Sequence, residues 1–396
     1  MKPEFFRDAS WLGADRSNGY IRLLAMLNLA VLLFLLATSQ GGVDRNGFLL
    51  GTDFISFWTS GHMLHQGSDV YDTAAHIAAQ RAFFERAGEY TAFYYPPPFL
   101  LVCYVLGGLP YFPALGLWLI ATGAAFALSA RKWLADTVLL KEQWWLLAAF
   151  PPVLITITHG QTSFLAAALL GGGAFFVRGR PVLAGVLFGL AIFKPQLGLL
   201  IPFVLLIAGE WRTISAAAAT ALGLSLLATL AFGPDIWIKW LNMGAMAQSA
   251  AASGEIPFAK MQSPFAAARL LGAPETLAMA FQGSVSLAVL AALVWAGWRK
   301  TFSPALAAAM LAGAVLATPF VLDYDLVVLA FPLAWLAAQE WRAWEKITSA
   351  AVFVAPAFAR PLALEAGIPI TVPLVMVFFV LLIRRAATLQ DQFTRQ

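Results

Sequence analysis

The chain has 396 residues, 60% of them hydrophobic and only 12% charged. Soluble domains carry about 25% charged residues, so most of this protein's surface must face lipid, and a soluble multidomain architecture is excluded. The formal charge of +4 is spread over short loops and the tails, which fits orientation in a membrane and not nucleic-acid binding.

Residues 1–19 are polar and of mixed charge, and residues 20–38 form the first apolar run. That run is long enough to cross a ~30 Å hydrocarbon core, and no small-residue cleavage site follows it, so it is expected to be a retained first span. Arg7, Arg16 and Arg22 precede it, which puts the N-terminus in the cytoplasm. Residues 39–95 then form a long polar stretch with Asp44, Asp53, Asp69, Asp72, Glu85 and Glu89, read as the first extracytoplasmic loop. Within it Phe54, Phe57, Trp58 and Met63, and then Ala79, Phe83 and Phe84, recur at helical spacing. The pattern predicts amphipathic helices lying in the interface with apolar faces toward lipid.

Tyr94-Tyr95-Pro96-Pro97-Pro98 marks re-entry, since prolines suit the first turn of a helix. The apolar pieces that follow are 99–109, 113–130, 143–158, 162–177, 182–193, 197–208, 214–232, 277–297, 303–320, 326–338, 347–358 and 368–383. Arg131, Lys132, Lys141, Arg178, Arg180, Arg212, Arg299, Lys300, Arg342, Lys346, Arg384 and Arg385 mark cytoplasmic loops. With 99–109 partial or re-entrant, the expectation is a single all-α polytopic membrane domain over 1–396 with about twelve transmembrane helices. Residues 233–275 become a second large extracytoplasmic loop, and nearly every polar cluster falls on the outer side. Cys103 sits among Leu101, Val102 and Tyr104 as a packing residue, and no internal repeat is visible.

Polar groups at membrane depth are costly and so mark function. Asp53 lies just past the first span, where a carboxylate stays ionised and can accept a proton from an attacking hydroxyl; it can equally be the N-cap of a helix starting at Phe54. Lys194-Pro195-Gln196 splits a long apolar run, so Lys194 can hold a phosphate as a point charge, or snorkel from a helix end. In His159-Gly160-Gln161, Gln161 can bond a sugar and His159 a phosphate or hydroxyl, or the three form a satisfied polar turn. Asp323-Tyr324-Asp325 can bind sugar hydroxyls or a cation, or form a solvated loop with a helix cap. Trp58, Tyr95, Gln196 and Gln262 complete the candidate substrate contacts. His62 and His65 are spaced i, i+3 without a third ligand, and no metal or cofactor is assigned.

In this order, Asp53-Phe54 with Phe57-Trp58, Gly67 through Val70-Tyr71-Asp72, Tyr95-Pro96-Pro97, Gly160-Gln161, and Gly185 through Gly189 with Lys194-Pro195-Gln196 resemble glycosyltransferase family 87. This is the DUF2029 group of GT-C membrane glycosyltransferases, with polyprenyl-phosphate-mannose-dependent mannosyltransferases and arabinofuranosyltransferases among them. The resemblance covers residues 50–215 well and the rest loosely. It implies a bacterial inner-membrane enzyme of the cell envelope whose site faces the periplasm. The sugar would come from a polyprenyl-phosphate donor and go, with inversion, to a glycolipid or glycan acceptor. The family's catalytic aspartate maps to Asp53. Many members carry a histidine where this chain has Tyr324, so that histidine's task is absent or falls to Tyr324, Asp323 or His159. A transporter or flippase of a polar lipid or sugar is the alternative reading, suited by Lys194 and broken helices; a non-catalytic envelope scaffold is the third.

Overall fold

The computed structural model describes residues 3–84, 90–135, 141–254, 256–298 and 301–393. Glu85, Glu89, Arg299 and Lys300, read above as loop charges, lie outside the described residues. Among the described residues all regular structure is helical, apart from three isolated antiparallel bridges: Gln40 with Val43, Val43 with Leu49, and Met261 with Leu322.

Five helices are long and apolar enough to cross a membrane: Ala14–Thr38, Tyr111–Leu134, Trp211–Phe232, Glu275–Gly297 and Thr371–Thr388. At 1.5 Å per residue the first four exceed a ~30 Å core, and Thr371–Thr388 comes within about 3 Å of it before the helix continues to Phe393. Glu345–Val354 and Pro356–Ala366 make a sixth candidate, bent by 67° at their junction. Helix length therefore supports five or six crossings, where the apolar pieces suggest about twelve. The other apolar runs form short helices, including Pro97–Gly107, Ser163–Phe176 and Pro304–Leu316. Proline is the usual cause: Pro151, Pro195 and Pro356 each open a new helical segment, because the ring removes a donor and clashes with the preceding turn.

Ala14–Thr38 stands at the periphery with Ala25 as its one buried residue. It is tied on by Asn28, whose Nδ2 donates to the carbonyls of Ala148 (2.9 Å) and Ala149 (3.1 Å). At the centre is Pro304–Leu316, buried on every side, with Ala307, Ala308, Ala309, Ala312 and Gly313 allowing close approach. It packs on Thr371–Phe393, Glu275–Gly297 and Ser163–Phe176. Several residues read as cytoplasmic meet at one edge: Trp344 N donates to Arg7 O (2.7 Å), Arg342 Nη1 to Thr388 Oγ1 (3.1 Å), and Arg385 pairs with Glu345 (2.6 Å).

The first polar loop departs from expectation. Phe54–His65 does not turn its apolar face to lipid: Phe54, Phe57, Trp58 and Met63 are buried in protein, and the helix lies along Pro97–Gly107. The contact is backbone on backbone at Gly61 and Gly107, where a methyl group on either would fall inside the other helix. Thr73–Phe83, capped by Asp72 through the amides of Ala74 and Ala75, covers them. It buries His76 and Gln80, and a chain of polar contacts runs through them. His76 Nε2 meets Ser60 Oγ (3.0 Å), and Gln80 Nε2 bonds both His76 Nδ1 (3.1 Å) and Thr91 O (2.7 Å). Thr91 Oγ1 then donates to Thr52 O (2.9 Å), next to Asp53.

Candidate active site

The site is built where the start of Phe54–His65 meets the end of Pro151–His159. Asp53 N donates to His159 O (2.9 Å) and Gly51 N to Thr158 O (3.2 Å), so the two chain turns are joined through backbone. Gly160 ends the second helix at φ +65, a left-handed conformation that glycine takes without cost. A Cβ there would also stand 2.6 Å from Phe54 Cβ, so glycine is required twice over.

Asp53 occupies the N-cap position of Phe54–His65, but its side chain makes no capping bond. Its Oδ2 accepts from Gln161 Nε2 at 2.9 Å, and the capping interpretation is thereby corrected. Asp53 is half-buried, and its Oδ1 takes no hydrogen bond among the described residues. Gln161 is the hub. Its Nε2 also donates to Tyr324 Oη (3.0 Å), and its Oε1 accepts from Tyr95 Oη (2.9 Å) and Thr162 N (2.7 Å). The carboxamide thus uses both ends, which fixes the direction in which it presents its donor to Asp53.

Asp323-Tyr324-Asp325 is not a solvated loop. All three are buried at the head of Asp323–Leu329, brought there because Gln262 N donates to Val321 O (2.7 Å) and Met261 bridges Leu322. Asp325 Oδ1 accepts from Ser163 Oγ (2.7 Å) and pairs with Lys194, whose Nζ also lies 5.2 Å from the Tyr324 ring centre. Side-chain exposures of 5% for Lys194 and 2% for Asp325 make this an enclosed, neutralised pair. The Lys194 ammonium, read above as a phosphate contact, is engaged by Asp325 and by Ser163 Oγ.

His159 is half-buried with its ring 5.8 Å from that of Tyr324. Nδ1 lies 2.8 Å from Ile155 O, and a proton on Nδ1 would leave Nε2 as the acceptor. Trp58 was read above as a substrate contact; its indole donates instead to Leu109 O (2.8 Å) and packs on Phe83 and Tyr111. Gln262 turns Nε2 back to Ala259 O (3.4 Å) and braces the turn before Asp323. Gln196 lies in Pro195–Gly198 and makes no side-chain hydrogen bond among the described residues.

One cation escaped the sequence reading. Arg360 on Pro356–Ala366 grips Asp323 Oδ2 through Nε (2.9 Å) and Nη2 (2.6 Å). It lies two residues past the apolar piece 347–358, and the available signal was an arginine between Pro356 and Pro361 in otherwise apolar sequence. His62 and His65 are occupied by Gln66 and the Tyr104 carbonyl, and no group of three or more His, Cys, Asp or Glu capable of holding a metal occurs among the described residues.

The arrangement is a carboxylate oriented on one oxygen and open on the other, backed by amide, phenol and carboxylate groups drawn from four separate helical segments. No curated protein and no solved structure matches the chain. The family model described as Glycosyltransferase family 87 matches residues 93–322, more than half of the sequence, including Tyr95, His159, Gln161 and Lys194. The chain belongs to glycosyltransferase family 87 and is a membrane glycosyltransferase.

Proposed function

We propose that this enzyme moves a sugar from a polyprenyl-phosphate donor to a hydroxyl of a lipid or glycan acceptor, at the extracytoplasmic face of a bacterial inner membrane, with inversion at the anomeric carbon. The observation that carries the reading is Asp53: one carboxylate oxygen is held by Gln161 and the other is unengaged at a half-buried position. That is the geometry of a base whose direction is set and whose acceptor lone pairs are available. The acceptor O–H gives its proton to Asp53 Oδ1 as its oxygen bonds to C1. The C1–O bond to phosphate breaks on the opposite face, and the electron pair leaves with polyprenyl phosphate. Nucleotide sugars are cytoplasmic, so an outward site needs a donor already carried across on a lipid.

In this reading Gln161 aims the base, and Lys194 with Asp325 locks the Asp323–Leu329 segment against Ser163–Phe176. His159 would contact an acceptor or donor oxygen, and Tyr95 and Tyr324 restrain Gln161. The whole chain works as one unit, with residues 39–95 and 233–275 on the outer side. The test is release of polyprenyl phosphate from a panel of polyprenyl-phosphate sugars by protein in lipid, with envelope lipids as acceptor. Wild type should release it, and Asp53→Asn should be slower by about 10²–10⁴-fold. Equal release by both proteins rejects Asp53 as the base, and no release from any donor rejects the donor class.

A further inference from the structure

We propose that Arg360 is the cation that receives the donor's phosphate, held ready by Asp323. The proposal rests on the reading above of a lipid-phosphate donor. Leaving-group departure turns a phosphodiester into a monoester and adds negative charge, so a cation there gains most in the transition state. The expected candidate, Lys194, is enclosed and paired. Arg360 is also paired, with Asp323, but it is less enclosed and keeps donors to spare. Its side chain is 29% exposed, while Asp323 beneath it is 2% exposed and anchored by Tyr324 N on its other oxygen (3.0 Å). Arg360 spends Nε and Nη2 on the single oxygen Oδ2, so Nη1 and the remaining Nη2 hydrogen have no partner among the described residues. A guanidinium has five N–H donors in a planar fork, and the free edge suits two oxygens of one phosphate.

The chain beyond Arg360 supplies a second, independent argument. Pro356–Ala366 ends at Gly367 (φ +65), and the next residues line an apolar cavity of about 530 Å³. Val372 and Met376 form one side of it, and Ala267, Leu271, Leu277 and Phe281 the other. A cation at one end of a segment and an apolar groove along its continuation fit an amphiphile with an anionic head and a hydrocarbon tail. Asp323 joins this position to the base, since its neighbour Tyr324 bonds the same Gln161 amide that holds Asp53. Arg360 thus binds the donor, and Asp323 positions Arg360.

The experiment compares binding of polyprenyl phosphate and of the uncharged polyprenol by purified protein in nanodiscs. Arg360→Leu alone leaves Asp323 buried and unpaired, so the informative protein is the neutral pair Arg360→Gln with Asp323→Asn. Wild type should prefer the phosphate by roughly 10–100-fold, the range of a charge-assisted contact, and the neutral pair should lose that preference while keeping its affinity for polyprenol. Arg360→Lys, which keeps the charge but not the fork, should assemble normally and raise the donor KM by about 10-fold. Asp53→Asn should keep the full phosphate preference while losing transfer, so failure of the base assignment and of this proposal read differently. An unchanged preference in the neutral pair, a wild-type KM in Arg360→Lys, or a wild type that binds phosphate and alcohol equally would each overturn the proposal.

Discussion

Replacing Lys194 with methionine tests whether this lysine acts on substrate or on the fold. The change leaves the Asp325 carboxylate, 2% exposed, with only Ser163 Oγ (2.7 Å) and Leu322 N (3.3 Å). Removing one partner of a buried pair costs about 3–5 kcal/mol, because the other charge is stranded. For a chain of 396 residues that corresponds to a fall in apparent melting temperature of roughly 4–6 °C. Lys194→Met combined with Asp325→Leu removes both charges and should recover most of the loss, since apolar replacement of a buried pair is often neutral. The residual penalty is the loss of the partner of Ser163 Oγ and of Leu322 N, about 1–2 kcal/mol. The assay is the fraction of detergent-solubilised protein that survives heating as a monodisperse species, followed by transfer activity of the surviving fraction. A single variant that melts with wild type, or a double variant that melts as low as the single, would refute the reasoning. A double variant that regains its stability yet transfers more than 100-fold more slowly would return Lys194 to the substrate.

Gly61→Ala should splay Phe54–His65 from Pro97–Gly107 and lower the melting temperature by the equivalent of about 1–3 kcal/mol. Gly223→Ala, where nothing lies within 4 Å, should leave it unchanged or slightly raised. Gln161→Leu should assemble but lose about 10²-fold in kcat/KM, because the base is no longer aimed; wild-type kcat/KM would remove Gln161 from the mechanism. Burial lowers the pKa of His76 from its ordinary 6.5 to about 4. The unfolded chain therefore binds a proton between those values that the folded protein does not. Stability should be full above pH 6.5, fall as the pH drops, and level off below pH 4, by about 3 kcal/mol in total. His76→Gln should flatten melting temperature against pH over that window, and an unaltered slope would assign the dependence elsewhere.

Much of the site was legible because polar residues in an apolar chain carry their own emphasis. Asp53, Gln161, Tyr95 and the Asp323-Tyr324-Asp325 run were all marked that way, and Asp53, Tyr95 and Tyr324 converge on the Gln161 amide. What each side chain faces was less legible. Trp58 follows Asp53 by five residues, which on a helix turns it to another side, toward Phe83 and Tyr111. Lys194 looked unpaired because its partner lies 131 residues away. Arg360 was hidden at the end of an apolar run, and only the bend between Glu345–Val354 and Pro356–Ala366 brings it to Asp323. Helix number is hard to read for a related reason. Apolar composition measures contact with lipid or protein core alike, and Pro304–Leu316 is as apolar as a span while enclosed by other helices.

The hub amide has a consequence for synthesis. Gln161 reaches back 108 residues to Asp53 and forward 163 residues to Tyr324. Chain leaves the ribosome in order, so Asp53 and Gln161 can meet while the last quarter of the protein is still unmade. The matched family region stops at residue 322, one position short of the carboxylate that holds Arg360. A polypeptide ending there would keep the bond between Asp53 and Gln161 but lack Tyr324, Asp323 and Arg360, so one whole side of the site waits for the last residues to be made.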